Sequence, residues 1–264
     1  MNWVIADIHG CAETLRKLID RVKQADPDAK FVFVGDYCDR GMRSKESVDF
    51  LITLKDDTLA YLRGNHDDVV DWLLNGNCWT DLREFMNKTP QPWNIVPWWM
   101  MNGLKSTLES YGVSAHNRPS GPYNSCGSST EIIEEFREKA AEHRQFYADL
   151  ELTWENDTHF AVHAWANPGS EKPLLFDQGS SKPLWNRFPT KFPSGTLEYI
   201  EPVWDKIGVF GHTPVGYYKA TAPIKMEKIR LIDCCAFDNE YLTAYCCESD
   251  DWILQATEPG DERK

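Results

Sequence analysis

The stretch VIADIHG at residues 4–10 places an apolar run directly before an aspartate and a histidine. The run predicts a buried strand, and apolar residues then recur at helical spacing as far as Val22. Two further apolar runs, at residues 31–34 and 59–62, flank a second helical pattern at residues 47–55. Strand, helix, strand, helix and strand in this order predict a parallel sheet with helical crossovers, which is an α/β fold class.

Polar motifs follow all three predicted strands. Asp7 and His9 follow the first, GDYCDRG at residues 35–41 follows the second, and RGNHD at residues 63–67 follows the third. Side chains alternate along a strand, so Asp7 and His9 can point the same way while Ile8 packs into the core. Because ligands gather at the carboxyl ends of parallel strands, we expect these motifs to form one site.

Two later segments add imidazoles to the same set. His163 lies in VHA at residues 162–164, and His212 lies in GHTP at residues 211–214. Carboxylate, amide and imidazole ligands together suit manganese, iron or zinc better than metals that prefer thiolates. Two such ions close together can activate water against a phosphorus centre, so the five segments predict a binuclear phosphoesterase.

In this order, the five segments resemble the calcineurin-like metallophosphoesterase superfamily, and GDYCDRG and RGNH are similar to its phosphoprotein phosphatase branch. Further matches within residues 102–112, 184–187 and 242–244 resemble small bacterial and phage Ser/Thr protein phosphatases. The resemblance implies a metallophosphatase sandwich, in which central β-sheets are flanked by helices and carry a helical and loop insertion.

The resemblance also implies two divalent metal ions, with manganese first and iron or zinc as alternatives. The implied ligands are Asp7, His9, Asp36, Asn65, His163 and His212. Asp36 would bridge both ions, and Asn65 would belong to the second ion together with the two later histidines. The neutral amide of Asn65 leaves the cations better able to attract an anionic phosphate than a carboxylate would.

By the same resemblance, His66 is the proton donor to the leaving alkoxide, oriented and kept basic by Asp39. Arg40, Arg63 and Arg187 are the expected phosphate clamps, since guanidinium offers planar bidentate donors to phosphate oxygens. The implied reaction is one-step hydrolysis of a phosphomonoester by a hydroxide that bridges the metals, without a phosphoenzyme.

Three functions stay open at the level of sequence. The favoured one is a Ser/Thr protein phosphatase, and the alternative is a dinucleoside polyphosphate hydrolase of the diadenosine tetraphosphate type, in which tryptophans of an insertion would stack on a purine. The third is a non-catalytic binding module. Such a module would lack one of the residues that bind the metal ions, and all of the expected residues are present here. Trp165 stands where a small residue is usual after His163-Ala164, and its bulk would reshape the pocket.

Length and charge bound the organisation of the chain. Its 264 residues suit a single domain over residues 1–264, with an insertion rich in tryptophan and proline at about residues 76–130. The formal net charge of -13 argues against a broad surface for nucleic acid or for an anionic membrane. No apolar run approaches the roughly 18 residues needed to span a membrane.

Cysteine usage and the N-terminus predict a cytoplasmic protein. The eight cysteines include vicinal pairs at residues 234–235 and 246–247, which lack the spacing of a zinc site, and we expect reduced thiols. Residues 1–5 lack the basic region of a signal peptide.

Further along the chain, Ser128 and Glu131 predict a capping box that opens a helix to about Asp149. Strands are predicted at residues 160–163, 207–210, 229–232 and 241–246. The polar tail at residues 258–264 is expected to fray.

Overall fold

The computed structural model describes residues 1–82, 92–114, 126–191 and 193–262. Residues 83–91 and 115–125 of the predicted insertion lie outside the described residues. The strands are β1 (Asn2–Ile5), β2 (Lys30–Phe33), β3 (Thr58–Tyr61), β4 (Thr153–Glu155), β5 (His159–Val162), β6 (Ile207–Phe210), β7 (Ile224–Lys225), β8 (Ile229–Leu231), β9 (Tyr241–Cys246) and β10 (Asp251–Ala256). The helices are α1 (Ala12–Ala25), α2 (Ser44–Thr53), α3 (Asn65–Asn75), α4 (Pro92–Met100), α5 (Leu104–Ser110), α6 (Cys126–Lys139), α7 (Arg144–Ala148) and α8 (Lys182–Trp185).

The first sheet has the strand order β10-β9-β1-β2-β3. Strands β1, β2 and β3 run parallel, with α1 and α2 as the crossovers, so the predicted unit of three strands and two helices is confirmed. Strand β9 adds to β1 in the antiparallel direction, and β10 pairs antiparallel with β9. The carboxyl ends of β1, β2 and β3 therefore lie at one edge, where the three N-terminal motifs begin.

The second sheet has the strand order β4-β5-β6-β8-β7. Strands β5, β6 and β8 are parallel, while β4 and β7 pair antiparallel at the two edges. Two mixed sheets flanked by helices confirm the predicted α/β sandwich.

The side chains of β5 and β6 alternate between two hydrophobic clusters. Ala161 and Val209 belong to the large core that also contains the first sheet. Phe160 and Phe210 point to the opposite face and pack in a second cluster. Both faces of these strands are buried, as expected of parallel strands in an α/β protein. His159 links the sheets, because its Nε2 lies 3.1 Å from the hydroxyl of Tyr245 on β9.

The predicted helix at residues 128–149 is divided in two. Helix α6 ends at Lys139, a 3-10 turn covers Ala141–His143, and α7 follows. The residues predicted to face inward are nevertheless buried, among them Phe136 and Tyr147. The turn carries buried His143, whose ring nitrogens lie 2.7 Å from the hydroxyl of Tyr111 and 2.9 Å from a carboxylate oxygen of Asp49.

The C-terminal tail is docked rather than frayed over the described residues 258–262, so that expectation was wrong. Asp261 is fully buried, and its Oδ2 accepts hydrogen bonds from the backbone N–H of Thr14 at 2.7 Å and from its hydroxyl at 2.8 Å. Thr14 lies in the first turn of α1, where backbone N–H groups have no partner within the helix. The tail therefore supplies the cap, and its negative charge suits the helix N-terminus.

None of the helices in the described segments is long and apolar enough to cross a membrane. The described cysteine side chains are free thiols: Cys11, Cys38, Cys78, Cys234, Cys235, Cys246 and Cys247.

Replacing Asp261 with alanine is expected to lower the free energy of unfolding by about 2 kcal/mol, because both hydrogen bonds to Thr14 are lost. Equilibrium unfolding in urea measures the change. Asp20→Ala removes an exposed carboxylate from the same helix and should change the free energy by less than about 0.5 kcal/mol. Equal losses in the two variants would contradict the capping role of the tail.

Candidate active site

Several non-glycine residues in the loops that carry the predicted site motifs adopt left-handed backbone conformations. The φ angles are 46° at His9, 54° at Asp36, 69° at Asp39, 68° at Arg40 and 63° at His212. Such conformations cost on the order of 1 kcal/mol or more each and are retained where the surrounding structure enforces them. The bent backbones turn side chains from separate loops toward one point.

Asp67 fixes the relative position of the loops after β2 and β3. Its Oδ2 accepts the backbone N–H of Asp36 at 2.6 Å and that of Gly64 at 3.0 Å, and its Oδ1 accepts that of Tyr37 at 3.0 Å. The loops touch so closely that a Cβ atom on Gly35 would lie 2.5 Å from the backbone nitrogen of Gly64. Asp36 and Asn65, both predicted ligands, are thereby held at adjacent positions.

Two clusters of ligand atoms share Asp36. On one side, Nε2 of His9 lies 3.4 Å from Oδ2 of Asp36. On the other side, Nε2 of His163 lies 3.5 Å from the same oxygen. Oδ1 of Asn65 lies 3.0 Å from Nε2 of His163 and 2.9 Å from Nδ1 of His212. The structure thus brings five of the six predicted ligands together, and Asp36 is the residue that both clusters share.

The histidine tautomers fit metal binding. Nδ1 of His9 and Nδ1 of His163 each lie 2.8 Å from a backbone carbonyl oxygen, and Nε2 of His212 lies 3.2 Å from the carbonyl oxygen of Trp185. A carbonyl oxygen only accepts, so these nitrogens carry the protons. The other ring nitrogens keep lone pairs that face carboxylate and amide oxygens, and a cation between these acceptors would satisfy them.

Burial sets the charge of these groups. It raises the pKa of Asp36 to about 8, and it lowers the pKa of His163 to about 4. Neutral imidazoles and carboxylates that resist ionisation are the state expected of a buried site without a cation. Divalent ions would stabilise the ionised carboxylates, so the donor set fits two metal ions.

Asp7 contributes to neither of the two clusters around Asp36. Its carboxylate oxygens lie 3.1 and 2.9 Å from the backbone nitrogen of His212, which donates to them. Burial raises its pKa, and the nearby carboxylates of Asp233 and Asp36 raise it further. Its role as a ligand therefore stays a prediction.

Asp233 is a buried carboxylate that sequence reasoning missed. It lies two residues after the end of β8 and is 2% exposed. Burial raises its pKa, while Arg40 and Arg187 are among the groups that lower it. The signal was present in the sequence, because an aspartate directly after an apolar strand is also the pattern of Asp7.

His66 and Asp39 form the expected pair. Nδ1 of His66 lies 2.8 Å from Oδ2 of Asp39, and Nη2 of Arg40 lies 3.1 Å from Nε2 of His66. Burial and the Arg40 guanidinium lower the pKa of His66, whereas we expected Asp39 to keep the imidazole protonated. Burial also raises the pKa of Asp39 to about 7, against the lowering effect of its hydrogen bonds from Thr107 and Trp99.

Two residues of the predicted insertion donate hydrogen bonds to the carboxylate of Asp39. Nε1 of Trp99 donates to Oδ2 of Asp39 at 2.6 Å, and the hydroxyl of Thr107 donates to Oδ1 at 2.5 Å. The ring of Trp99 also lies against the imidazole of His66, with 4.8 Å between centroids. The sequence did not predict these two contacts with Asp39, because hydrogen bonds between distant parts of the chain leave no periodic pattern.

Arg63 is the predicted site residue that the structure places elsewhere. Its Nη1 donates to Asp71 at 2.9 Å and to Asp68 at 3.3 Å, and its Nη2 donates to the carbonyl oxygen of Tyr147. The guanidinium is thus held by buried ion pairs with α3 and by a hydrogen bond to the backbone of α7. The expected clamp role is corrected to a structural one, because the two acidic residues lie one helical turn apart on α3 and face Arg63.

Arg187 stays available to a ligand. It is exposed, it follows α8, and its guanidinium carbon lies 5.1 Å from the centre of the Tyr217 ring. Burial lowers the pKa of His212, and His163 and then Arg187 lower it further. Arg187 and Trp165 line the same cavity of about 320 Å³, so the bulky Trp165 lies beside Arg187.

Comparison with known proteins gives one family match. Residues 3–216 match the sequence profile of the calcineurin-like phosphoesterase family. A candidate diadenosine tetraphosphatase shares the fold at a TM-score of 0.55 and 14% identity, with 98% of this chain and 94% of that chain covered.

Two other solved structures have lower TM-scores. A metallophosphoesterase from Sphaerobacter thermophilus gives a TM-score of 0.47 at 14% identity, covering 97% of this chain and 88% of that chain. A protein serine/threonine phosphatase from Saccharomyces cerevisiae gives 0.47 at 14% identity, covering 97% and 79%.

The Asp36→Asn variant is expected to lose both metal ions, because its carboxylate is the group shared by the two clusters. Asp7→Asn should lose about one. Metal content per chain, measured by inductively coupled plasma mass spectrometry on metal-loaded protein, checks both variants. Circular dichroism serves as the control for folding. Full occupancy in Asp36→Asn would rule out a bridging role.

Proposed function

Because the chain belongs to the calcineurin-like phosphoesterase family, whose members are metal-dependent phosphoester hydrolases, we propose that it hydrolyses phosphate monoesters on serine and threonine residues of proteins. The observation that carries the proposal is the pair of clusters that share Asp36, one with His9 and His66 and the other with His163 and His212. Arg40 contacts that imidazole and supplies a cation for an anionic substrate.

The residues that would hold two divalent ions are Asp7, His9, Asp36, Asn65, His163 and His212. Manganese is the proposed metal, since these ligands combine oxygen with imidazole nitrogen and include no thiolate. Bound ions of this kind supply a water of lowered pKa and positive charge for the phosphoryl oxygens.

Arg40 and His66 have separate roles in the proposed reaction, one in binding phosphate and one in proton transfer. The guanidinium of Arg40 binds the phosphoryl oxygens, and Arg187 adds a second guanidinium from the His212 side. Asp39 holds Nδ1–H of His66, which leaves Nε2 as the atom that passes a proton to the leaving oxygen. In the free protein, Arg40 opposes protonation of His66; a bound phosphate dianion offsets that charge and favours the imidazolium.

Hydrolysis of a dinucleoside polyphosphate is the second candidate. The rings of Trp98 and Trp185 are nearly parallel, with 6.4 Å between centroids and an interplanar angle of 19°, and such indoles can hold a base. We rank it second because Trp99, which packs against both rings, is engaged with Asp39, and because GDYCDRG at residues 35–41 and WNR at residues 185–187 resemble protein phosphatases.

His66→Asn is expected to lower turnover by about 100-fold or more on alkyl phosphates such as phosphoserine peptides, in the usual range for loss of a general acid. An aryl phosphate leaves without much protonation, so its loss should be smaller. Steady-state kinetics on both substrates, with metal content as the control, test this. Equal losses on alkyl and aryl substrates would remove His66 from the acid role.

The substrate class is tested with the wild-type, manganese-loaded protein. Phosphoserine and phosphothreonine peptides should give higher kcat/KM values than diadenosine tetraphosphate. Replacing Trp98 with alanine should affect stability more than it affects the ratio of the two values. A clear advantage for the dinucleotide that disappears in Trp98→Ala would show that the indoles hold a base, and the second candidate would then replace the first.

A further inference from the structure

A cavity of about 620 Å³ lies beside the acid–base pair. Three separate segments line it: Arg40 and Met42 after β2, residues 100–103 at the end of α4, and Phe237 after β8. Lys105, on α5, is also part of its wall. Its volume lies in the range that holds a ligand much larger than phosphate.

Arg40 connects this cavity to the catalytic pair. Its Nη2 lies 3.1 Å from Nε2 of His66, and its guanidinium carbon lies 4.7 Å from the centre of the Phe237 ring. The backbone of Gly103 presses against it, since a Cβ there would lie 2.5 Å from the backbone nitrogen of Arg40. The cavity and the proton donor therefore share one side chain as a wall.

The contact between Arg40 and His66 indicates which part of the substrate would lie in the cavity. If Nε2 of His66 protonates the leaving oxygen, the leaving group extends from the phosphorus toward His66 and Arg40. The part of the substrate attached to that oxygen then passes over Arg40 into the cavity. We infer that the cavity is the leaving-group subsite and that it receives a peptide segment with an apolar side chain next to the phosphorylated residue.

The lining favours an aliphatic side chain over a nucleobase. Met42, Met100 and Met101 present flexible thioethers, which adapt to apolar groups of different shape. Met101 is 81% exposed, so its side chain is open to contact with a ligand in the cavity. Phe237, an aromatic residue of the lining, is only 7% exposed and packs against Arg40 and His9, so it offers no open face to a purine.

Charges at the rim do not select for an ionic neighbour. Lys105 lies on α5, and its Nζ is 3.9 Å from a carboxylate oxygen of Glu109, so the two charges offset one another. Arg40 itself is directed to the phosphate. The lining also contains the neutral polar side chains of Asn102 and Ser106, so the three methionines are the element that would distinguish an apolar neighbour from a polar one. The inference rests on the proposed phosphatase function and adds the substrate feature that this site would recognise.

The test compares phosphothreonine peptides that differ in one residue, leucine or serine, placed on either side of the phosphothreonine. With manganese-loaded wild-type protein, kcat/KM should be about 10-fold higher for the leucine peptide on one of the two sides, the size expected when a leucine side chain is partly buried. In the Met42→Gln, Met101→Gln double variant the preference should fall to about 3-fold or less. Leu175→Gln changes an exposed leucine elsewhere and should keep the preference unchanged.

Equal kcat/KM values for leucine and serine peptides on both sides, or an undiminished preference in the double variant, would overturn the subsite. Wild-type turnover of p-nitrophenyl phosphate separates this result from failure of the proposed function. Turnover of that ester without hydrolysis of any phosphopeptide would overturn the protein phosphatase proposal and the subsite together. A preference for diadenosine tetraphosphate that is lost in the double variant would assign the cavity to a nucleoside instead.

Discussion

The carboxylate of Asp67 is the constraint on which the rest of the site depends. By accepting N–H groups from Asp36, Tyr37 and Gly64, it joins the loops that follow β2 and β3. These groups are backbone donors in a buried region, where an unpaired N–H is costly. Satisfying them from a single side chain lets the two loops touch at Gly35 and Gly64 and sets the positions of Asp36 and His66 in one step.

The charges of the site explain why cations belong there. Asp7, Asp36 and Asp233 are three buried carboxylates, and burial raises the pKa of each. The surrounding histidines and Asn65 contribute neutral donors, so they do not add negative charge. Two divalent ions would therefore more than balance the three carboxylates, and the excess positive charge, together with Arg40, suits a phosphate dianion. A third carboxylate at Asp233 limits that excess.

Much of the fold followed from sequence because its signals are local. Apolar runs predicted β1, β2 and β3, and the polar residues directly after them predicted which side chains would converge. The residues that escaped prediction act across long separations in sequence: Asp261 caps α1 from the far end of the chain, and Trp99 reaches Asp39 from the insertion. Arg63 is the opposite case. The motif that contains it predicted a role in phosphate binding, but the ion pairs with Asp68 and Asp71 on α3 hold its side chain away from that role.

The insertion links the acid–base pair to the adjoining cavity. Trp99, on α4, faces inward and donates to Asp39, while the next residues, Met100 and Met101, face the cavity. Thr107 follows on α5 and donates to the other oxygen of Asp39. Neighbouring residues of one segment thus hold Asp39, the partner of His66, and form the wall of the cavity beside it. The position of the cavity wall and that of the Asp39 carboxylate are therefore set by the same short stretch of chain, residues 99–107.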